Sequence, residues 1–236
     1  MLAFCAEPGT SIDVNWLLLH MHLGLDAVGK PVLVFTSLLW LFAGIYSRGY
    51  LADDPHAARY YFYFLLTMTG NLGLVLSRDV ASFYVFFAVM SLAAYPLVIP
   101  HQDAEARRAG RVYIVLVVMG EVALLVAMLL STVARGSLLL ERGVSSLAGT
   151  PALPWLMALF LVGFGIKAGI VPLHVWLPLA HPAAPTPASA LLSGAMIKAG
   201  LLGWMRFLPL GEAALPGGSG PVGSGGGSNA RRLSGM

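Results

Sequence analysis

Six apolar segments, each long enough to cross a lipid bilayer as a helix, occupy most of this chain of 236 residues. A helix needs about 20 apolar residues to cross a hydrocarbon core about 30 Å thick, because each residue adds about 1.5 Å. The segments cover residues 31–47, 60–77, 80–100, 112–134, 153–175 and 187–208. This pattern predicts an all-α, multi-pass integral membrane protein with about six transmembrane helices.

The composition excludes several other classes of protein. The mean hydropathy is +0.79 and only 11% of the residues are charged, whereas soluble domains carry charge on about a quarter of their positions. The net charge of +3 is small, so nothing indicates a nucleic-acid partner. Cys5 is the only cysteine, and there is no phosphate-binding glycine loop, nucleophile elbow or haem motif. We therefore expect no cofactor, metal or catalytic centre on this chain.

The chain divides into three parts by composition. Residues 1–29 form an N-terminal segment that does not span the membrane, and within it residues 16–25 predict either an interfacial segment or a short strand. Residues 30–209 form the transmembrane domain. Residues 210–236 are rich in Gly and Ser, and we expect this tail to be disordered because it cannot bury apolar area.

Turn residues and loop charges predict a topology. The pair Arg78-Asp79 predicts a tight turn, so the second and third spans should form an antiparallel hairpin. By the positive-inside rule, the loops after the first and third spans face the cytoplasm. These loops hold five arginines: Arg48, Arg59, Arg107, Arg108 and Arg111. The opposite side holds four basic residues: Lys30, Arg78, Arg135 and Arg142.

Lys167 stands inside the fifth apolar segment, in the sequence Gly163-Phe-Gly-Ile-Lys-Ala-Gly169, with Pro172 following. A lysine at membrane depth costs about 2.5–3.5 kcal/mol on insertion scales, so its presence needs a reason. This density of glycine and proline favours a broken helix, whose freed carbonyl groups can face a cation or water. We interpret Lys167 as a lysine that switches between its charged and neutral forms, against the alternative of snorkelling to the interface.

Two further charged residues lie near the middle of predicted spans. Lys198 is close to the middle of the sixth segment, which predicts a buried relay, with a static salt bridge to another helix as the alternative. Glu121 is near the middle of the fourth segment and is the only acidic residue in the core of any span. Glu121 is therefore the natural partner of one of the lysines, either in a structural ion pair or in a proton relay.

His174 and His181 flank Trp176 and Pro178 just after the predicted break. Because histidine titrates near neutral pH, the two side chains could pass protons between a lysine and solvent. Interfacial packing, with Trp176 in the aromatic belt, is an equally good interpretation. Their spacing lacks further ligands, so a metal site is not expected.

The stretch from Lys167 to Gly200 resembles the signature of the antiporter-like proton-translocating membrane subunits. Such subunits occur in respiratory complex I, in multisubunit sodium/proton antiporters and in membrane-bound hydrogenases. The form Trp-Leu-Pro-x-Ala-His-Pro-Ala-Ala-Pro, followed by Ser-Gly-x-Met-Ile-Lys, is closest to the hydrogenase-4 and formate hydrogenlyase branch. A looser similarity extends over residues 23–207.

The resemblance implies a fold, a mechanism and partners. The fold is the first inverted repeat of the family with neighbouring helices, including a broken helix near Lys167. In the family, a carboxylate tunes a lysine on a broken helix, and a second lysine passes the charge along the middle of the membrane. Lys167 matches the first lysine and Lys198 the second. Redox chemistry then lies in other membrane and peripheral subunits of a respiratory or hydrogenase complex, in the bacterial inner membrane.

The sequence also departs from the family pattern. Ala88 stands where the family has a glutamate, and Leu179 where an acidic residue is common. The family has two inverted repeats, whereas the similarity here covers one, so we expect a chain truncated at both ends. Two functions stay open: a subunit that conducts protons or sodium, or a truncated, split or vestigial subunit with only a structural role. A stand-alone channel is disfavoured, because one half-channel gives no continuous path across the membrane.

Overall fold

The structure is a computed structural model that describes residues 11–16, 19–99, 104–140 and 151–208. The predicted tail from 210 to 236 lies outside the described residues, as does Cys5. In chain order the elements are β1 (Ser11–Trp16), β2 (Leu19–Gly24), α1 (Gly29–Tyr50), α2 (Ala57–Leu76), α3 (Val80–Ala93), α4 (Tyr95–Val98), α5 (Ala104–Arg135), α6 (Leu153–Ala168), a 3-10 helix (Leu173–Val175), α7 (Trp176–Ala183), α8 (Thr186–Leu191), a π-helical turn (Leu192–Met196) and α9 (Ile197–Phe207).

The helices confirm the predicted membrane architecture. In the described part of the chain, five stretches are long and apolar enough to cross a bilayer: Gly29–Tyr50, Val80–Val98, Ala106–Arg135, Leu153–Ala183 and Thr186–Phe207. The remaining predicted segment forms α2, a helix of 20 residues that packs against α3 as the expected hairpin. Polar residues such as Arg59 and Asn71 dilute the apolar content of α2, which is why it falls outside that group.

Two spans predicted as continuous are interrupted in the structure. The third ends as a helix at Ala93 and resumes as the short helix α4, with Pro96 in its first turn, because proline cannot continue the hydrogen-bond ladder of α3. The sixth contains the π-helical turn at Leu192–Met196, where one extra residue per turn shifts the ladder. Such turns are frequent at functional sites, and Lys198 follows this one by two residues.

The N-terminal strands form an antiparallel β-hairpin, with Ser11 opposite Gly24 and Trp16 opposite Leu19. The strand alternative for residues 16–25 is thus correct. The hairpin is attached to the turn between α2 and α3: Arg78 N–H donates to the His22 carbonyl oxygen at 2.8 Å, and His22 N–H donates to Asp79 Oδ2 at 2.9 Å. Asp79 also caps α3, because its Oδ1 accepts the Ser82 N–H at 2.7 Å.

Arg206 ties the end of α9 to the same end of the bundle. Its guanidinium donates four hydrogen bonds: to the carbonyl oxygens of Leu74 (3.0 Å), Val75 (2.7 Å) and Ser77 (2.8 Å), and to Asp26 Oδ1 (3.1 Å). Three of these acceptors are at the C-terminal end of α2, where the helix leaves carbonyl groups without internal partners. Asp26 in turn accepts the N–H of Gly29, the first residue of α1, at 2.6 Å.

A buried polar contact joins the first three helices. Trp40 Nε1 of α1 donates to Asn71 Oδ1 of α2 at 3.0 Å, and Asn71 Nδ2 donates to Met90 Sδ of α3 at 3.3 Å. Hydrogen bonds between helices are one of the forces that hold membrane bundles together, because lipid supplies no hydrophobic drive between them.

Helix α6 is held closely on two sides. A Cβ atom added at Gly163 would lie 2.5 Å from Leu124 Cγ of α5, and one added at Gly200 of α9 would lie 2.8 Å from the Phe164 carbonyl oxygen of α6. Only glycine allows helices to approach at this distance. These two contacts place α6 between α5 and α9, and the buried core of the bundle surrounds it.

Candidate functional site

The helical break that follows α6 inside the predicted fifth span depends on a glycine and a tryptophan. Gly169 has φ +70°, a left-handed conformation that ends the helix, and Ile170 N–H donates to the Gly165 carbonyl oxygen at 3.1 Å. The indole Nε1 of Trp176, on α7, donates to the Ile166 carbonyl oxygen at 2.7 Å. The predicted broken helix is therefore confirmed, and a buried side chain satisfies one of the carbonyl groups that the break frees.

Lys167 is buried one residue before the end of α6, with 3% of its surface exposed. Its ammonium donates to the hydroxyl oxygen of Tyr113 at 3.4 Å and lies 5.7 Å from the centroid of that ring. The Tyr113 hydroxyl in turn donates to the Ser91 carbonyl oxygen at 2.9 Å. This burial argues against snorkelling, because the ammonium is held between α3 and α5 in the interior of the bundle.

Glu121 is brought to the same place as Lys167. Both residues line one cavity of about 10 Å³, together with Ser91 of α3. Within the described residues, neither carboxylate oxygen of Glu121 has a hydrogen-bond partner, and neither has the Ser91 hydroxyl. The cavity is comparable in size with the space that one water molecule needs, about 10–15 Å³. The arrangement thus brings a carboxylate and an ammonium to one small, mostly apolar cavity, and the described residues show no direct ion pair between them.

His181 and Lys198 lie along a second polar line. His181 Nδ1 is 2.6 Å from Ser189 Oγ of α8, Ser193 Oγ donates to the Ser189 carbonyl oxygen at 3.1 Å, and the Lys198 ammonium donates to the Ser193 carbonyl oxygen at 2.9 Å. Ser193 lies in the π-helical turn. Lys198 is half-buried, 5.8 Å from the centroid of the Phe35 ring, and in the described chain no ion pair involves it.

His174 joins neither group. It lies in the 3-10 helix after the break, and its buried Nδ1 has no hydrogen-bond partner among the residues that the structure describes. The five predicted site residues therefore separate into a pair around a cavity, a pair along α7–α9, and one isolated histidine. Over the described ranges, no three His, Cys, Asp or Glu side chains could hold a metal ion.

The structure adds residues to the site that sequence reasoning missed. Tyr113 and Ser91 contact or face Lys167 and Glu121, and Trp176 packs against Tyr113 with ring centroids 5.3 Å apart. A tyrosine and a serine on apolar helices are indistinguishable in sequence from ordinary packing residues. Ala88, which replaces the family glutamate, lies on the same helix as Ser91, one residue after Phe87 of the cavity wall.

Comparisons with known proteins place this arrangement in a family. Residues 77–216 match the family described as NADH:quinone oxidoreductase/Mrp antiporter, TM. Hydrogenase-4 component B of Escherichia coli is 36% identical over 168 residues, which cover 70% of this chain and 25% of that protein. The Na(+)/H(+) antiporter subunit A1 of Staphylococcus haemolyticus is 32% identical over 178 residues, 72% of this chain and 22% of that subunit. The chain thus spans about a quarter of the length of these relatives.

Solved structures give the same result. A chain of the membrane-bound sulfane sulfur reductase, an archaeal respiratory membrane complex, superposes with a TM-score of 0.72 and 27% identity, over 86% of this chain and 33% of that one. A chain of the Mrp complex from Dietzia superposes with a TM-score of 0.71 and 27% identity, over 83% of this chain and 38% of that one. The family match over residues 77–216 includes the broken helix and the buried Lys167. The chain is therefore a multi-pass integral membrane protein of the antiporter-like family that includes membrane subunits of NADH:quinone oxidoreductases, Mrp antiporters and hydrogenases.

Proposed function

We propose that this chain belongs to a complex I-like or hydrogenase-like respiratory complex, and that it couples electron transfer in other subunits to translocation of protons or sodium. The relatives that carry most weight are hydrogenase-4 component B and the subunits of the Mrp and sulfane sulfur reductase complexes. Its partners are other membrane and peripheral subunits. The membrane is the bacterial inner membrane, with the arginine-rich loops on the cytoplasmic side.

The observation that carries the proposal is the pairing of Lys167 and Glu121 around a buried cavity. A charge of either sign is costly at this depth, so the two groups are best kept neutral as a pair: an ammonium with a carboxylate, or an amine with a carboxylic acid. A proton that moves from Lys167 to Glu121 converts one form into the other without changing the net charge. A change in the surroundings of either group can drive this transfer.

Tyr113 and Ser91 hold this pair in position. The Tyr113 hydroxyl donates its proton to the Ser91 carbonyl, so its oxygen lone pairs are directed at the Lys167 ammonium. Trp176 links the Tyr113 ring to the end of α6, because its indole packs against that ring and donates a hydrogen bond to the Ile166 carbonyl oxygen. The geometry of the lysine thus depends on residues from α3, α5 and α7.

Lys198 and His181 form the second station of the proposed relay. The carbonyl groups of Ser189 and Ser193 lie between them, which gives a cation a row of acceptors along α8 and the π-helical turn. His174, half-buried just after the break, is the candidate for exchange with solvent.

The test is a transport measurement on the assembled complex. The complex is purified from native membrane, its accompanying subunits are identified by mass spectrometry, and it is reconstituted in proteoliposomes. Lys167→Ala should abolish ion transport, while Lys30→Ala, at the start of α1, should leave it unchanged. Transport that survives Lys167→Ala would favour the alternative, a subunit with only a structural role.

Glu121 is tested in the same assay with two substitutions. Glu121→Gln removes the exchangeable charge but keeps the shape, so transport should fall by about a hundredfold or more, the low end of what a positioned proton-transfer group contributes. Glu121→Asp keeps the carboxylate and should retain part of the activity. Equal transport by the wild type, Glu121→Gln and Glu121→Asp would exclude Glu121 from the relay and would mean that Lys167 acts with another group.

A further inference from the structure

A large apolar groove opens on the outer surface of the bundle, between α5 and the break after α6. Its volume is about 590 Å³, and its walls include Val112, Val115 and Leu116 of α5 on one side and Leu173 and Val175 after the break on the other. Val115 is 57% exposed and Val175 is 52% exposed. The groove therefore faces outward from the bundle, toward whatever surrounds the spans.

Two arginines stand at one end of this groove. Arg108 and Arg111 line it and are exposed. They are three residues apart on α5, so they project from the same face of the helix. Both lie within the first three turns of α5. The groove thus has an apolar body and a strongly positive head.

The position of the arginines along α5 matches the level of lipid headgroups. A helix of 32 residues is about 48 Å long, whereas the hydrocarbon core is about 30 Å thick. The surplus length must extend into the interface at the ends of the helix. Arg108 and Arg111 are in the first quarter of α5, and the apolar wall that follows them continues toward the middle of the span.

We propose that this groove binds an anionic phospholipid, with the headgroup phosphate between Arg108 and Arg111 and an acyl chain along Val115, Leu173 and Val175. Arginine binds phosphate oxygens in a bidentate manner, and basic pockets between transmembrane helices on the cytoplasmic side take such headgroups. A small soluble anion would use the arginines but not the apolar walls. The positive-inside rule predicts that this end of α5 is cytoplasmic, where anionic lipids are abundant.

The lipid would also contact the segment that carries the break. Leu173 and Val175 belong to the 3-10 helix that follows Lys167 by six residues, and Trp176 behind them braces α6. An acyl chain in the groove therefore covers the outer side of the segment that leads into Trp176, which contacts Tyr113 of the Lys167 site. Lipid binding itself does not depend on whether the chain moves ions.

The experiment measures which lipid stays with the purified protein. The full chain, with the subunits that accompany it, is equilibrated with equal amounts of phosphatidylglycerol and phosphatidylcholine, and retained lipid is quantified by native mass spectrometry. Each arginine near an anionic surface contributes about fivefold, so Arg108→Gln with Arg111→Gln should lower the phosphatidylglycerol preference by about 25-fold. Arg107→Gln is the matched control, because Arg107 is exposed on the same turn but does not line the groove.

Four outcomes would contradict the assignment. The first is a wild-type protein that retains both lipids equally, and the second is an Arg107→Gln variant that loses as much preference as the double variant. The third comes from a photoreactive residue at Val175: cross-linking to a protein subunit instead of lipid would show that a partner helix occupies the groove. Val115→Trp fills the body of the groove and should reduce lipid retention with both arginines intact, and unchanged retention would contradict the proposed acyl-chain position.

Discussion

Replacing Arg206 by methionine should lower the free energy of unfolding by about 3 kcal/mol, the low end of what removing one partner of a buried ion pair costs. The side chain is 6% exposed and donates four hydrogen bonds, three of them to backbone carbonyl groups that cannot move away. The Asp26 side chain is 24% exposed, and in the variant its carboxylate would still form an ion pair with Arg78 at 3.4 Å. This remaining pair is the reason to expect the low end of the range.

The measurement is a denaturant titration of the purified chain in detergent, followed by tryptophan fluorescence. Arg48→Met is the control, because Arg48 is exposed in the last turn of α1 and its loss should change the free energy of unfolding by less than about 0.5 kcal/mol. Arg206→Lys keeps the charge but has three donors on one atom, so it should recover part of the loss. If Arg206→Met costs no more than Arg48→Met, the contacts of Arg206 do not stabilise the fold and the reasoning is wrong.

Three further predictions concern other contacts. Gly200→Leu should lower the free energy of unfolding by more than about 2 kcal/mol, because even a methyl group there would lie 2.8 Å from a backbone carbonyl oxygen of α6. The control in the same titration is Gly49→Leu, because a Cβ atom at Gly49 would have no neighbour within 4 Å. Asn71→Leu should cost about 1–3 kcal/mol in that titration, because the buried Trp40 N–H loses its acceptor. Tyr113→Phe should reduce ion transport in proteoliposomes while changing the free energy of unfolding by only about 1 kcal/mol.

Each of these has a contrary result. Equal stability of the Gly200→Leu and Gly49→Leu proteins would mean that α9 can move away from α6. A stable Asn71→Leu protein would show that packing alone joins the first three helices. Full transport by Tyr113→Phe would mean that its hydroxyl does not position Lys167, even though the two groups are in contact.

The spans and the break after α6 were predictable because each rests on a local signal. A run of about 20 apolar residues has few alternatives to a membrane helix. Glycine at 169 and proline at 172 together disfavour a regular helix through the position where the structure ends α6. Lys167 and Glu121 could be singled out for the same reason, since a charge in an apolar run is conspicuous wherever it stands.

The remaining features depend on contacts between residues far apart in the chain, which no local pattern encodes. Arg206 is 180 residues from Asp26, and its role is visible only when α9 meets the end of α2. In the sequence, Tyr113 looks like an ordinary residue of an apolar helix. Its role is visible only in the fold, where Lys167, 54 residues later in the chain, lies beside it. The π-helical turn before Lys198 carries no recognisable sequence signal, so the sixth span was expected to be continuous.

The close packing of α6 limits how the Lys167 site can rearrange in the proposed relay. With Leu124 against Gly163 on one flank and Gly200 against its backbone on the other, α6 cannot move closer to α5 or α9 without collision. Rearrangement is easier in the parts that lack such contacts: the rotamers of Lys167 and Glu121, and the short segment after Gly169. In that case α6 stays in place, and only side chains and a loop of a few residues change position. The proposed relay would then need only small local steps around Lys167.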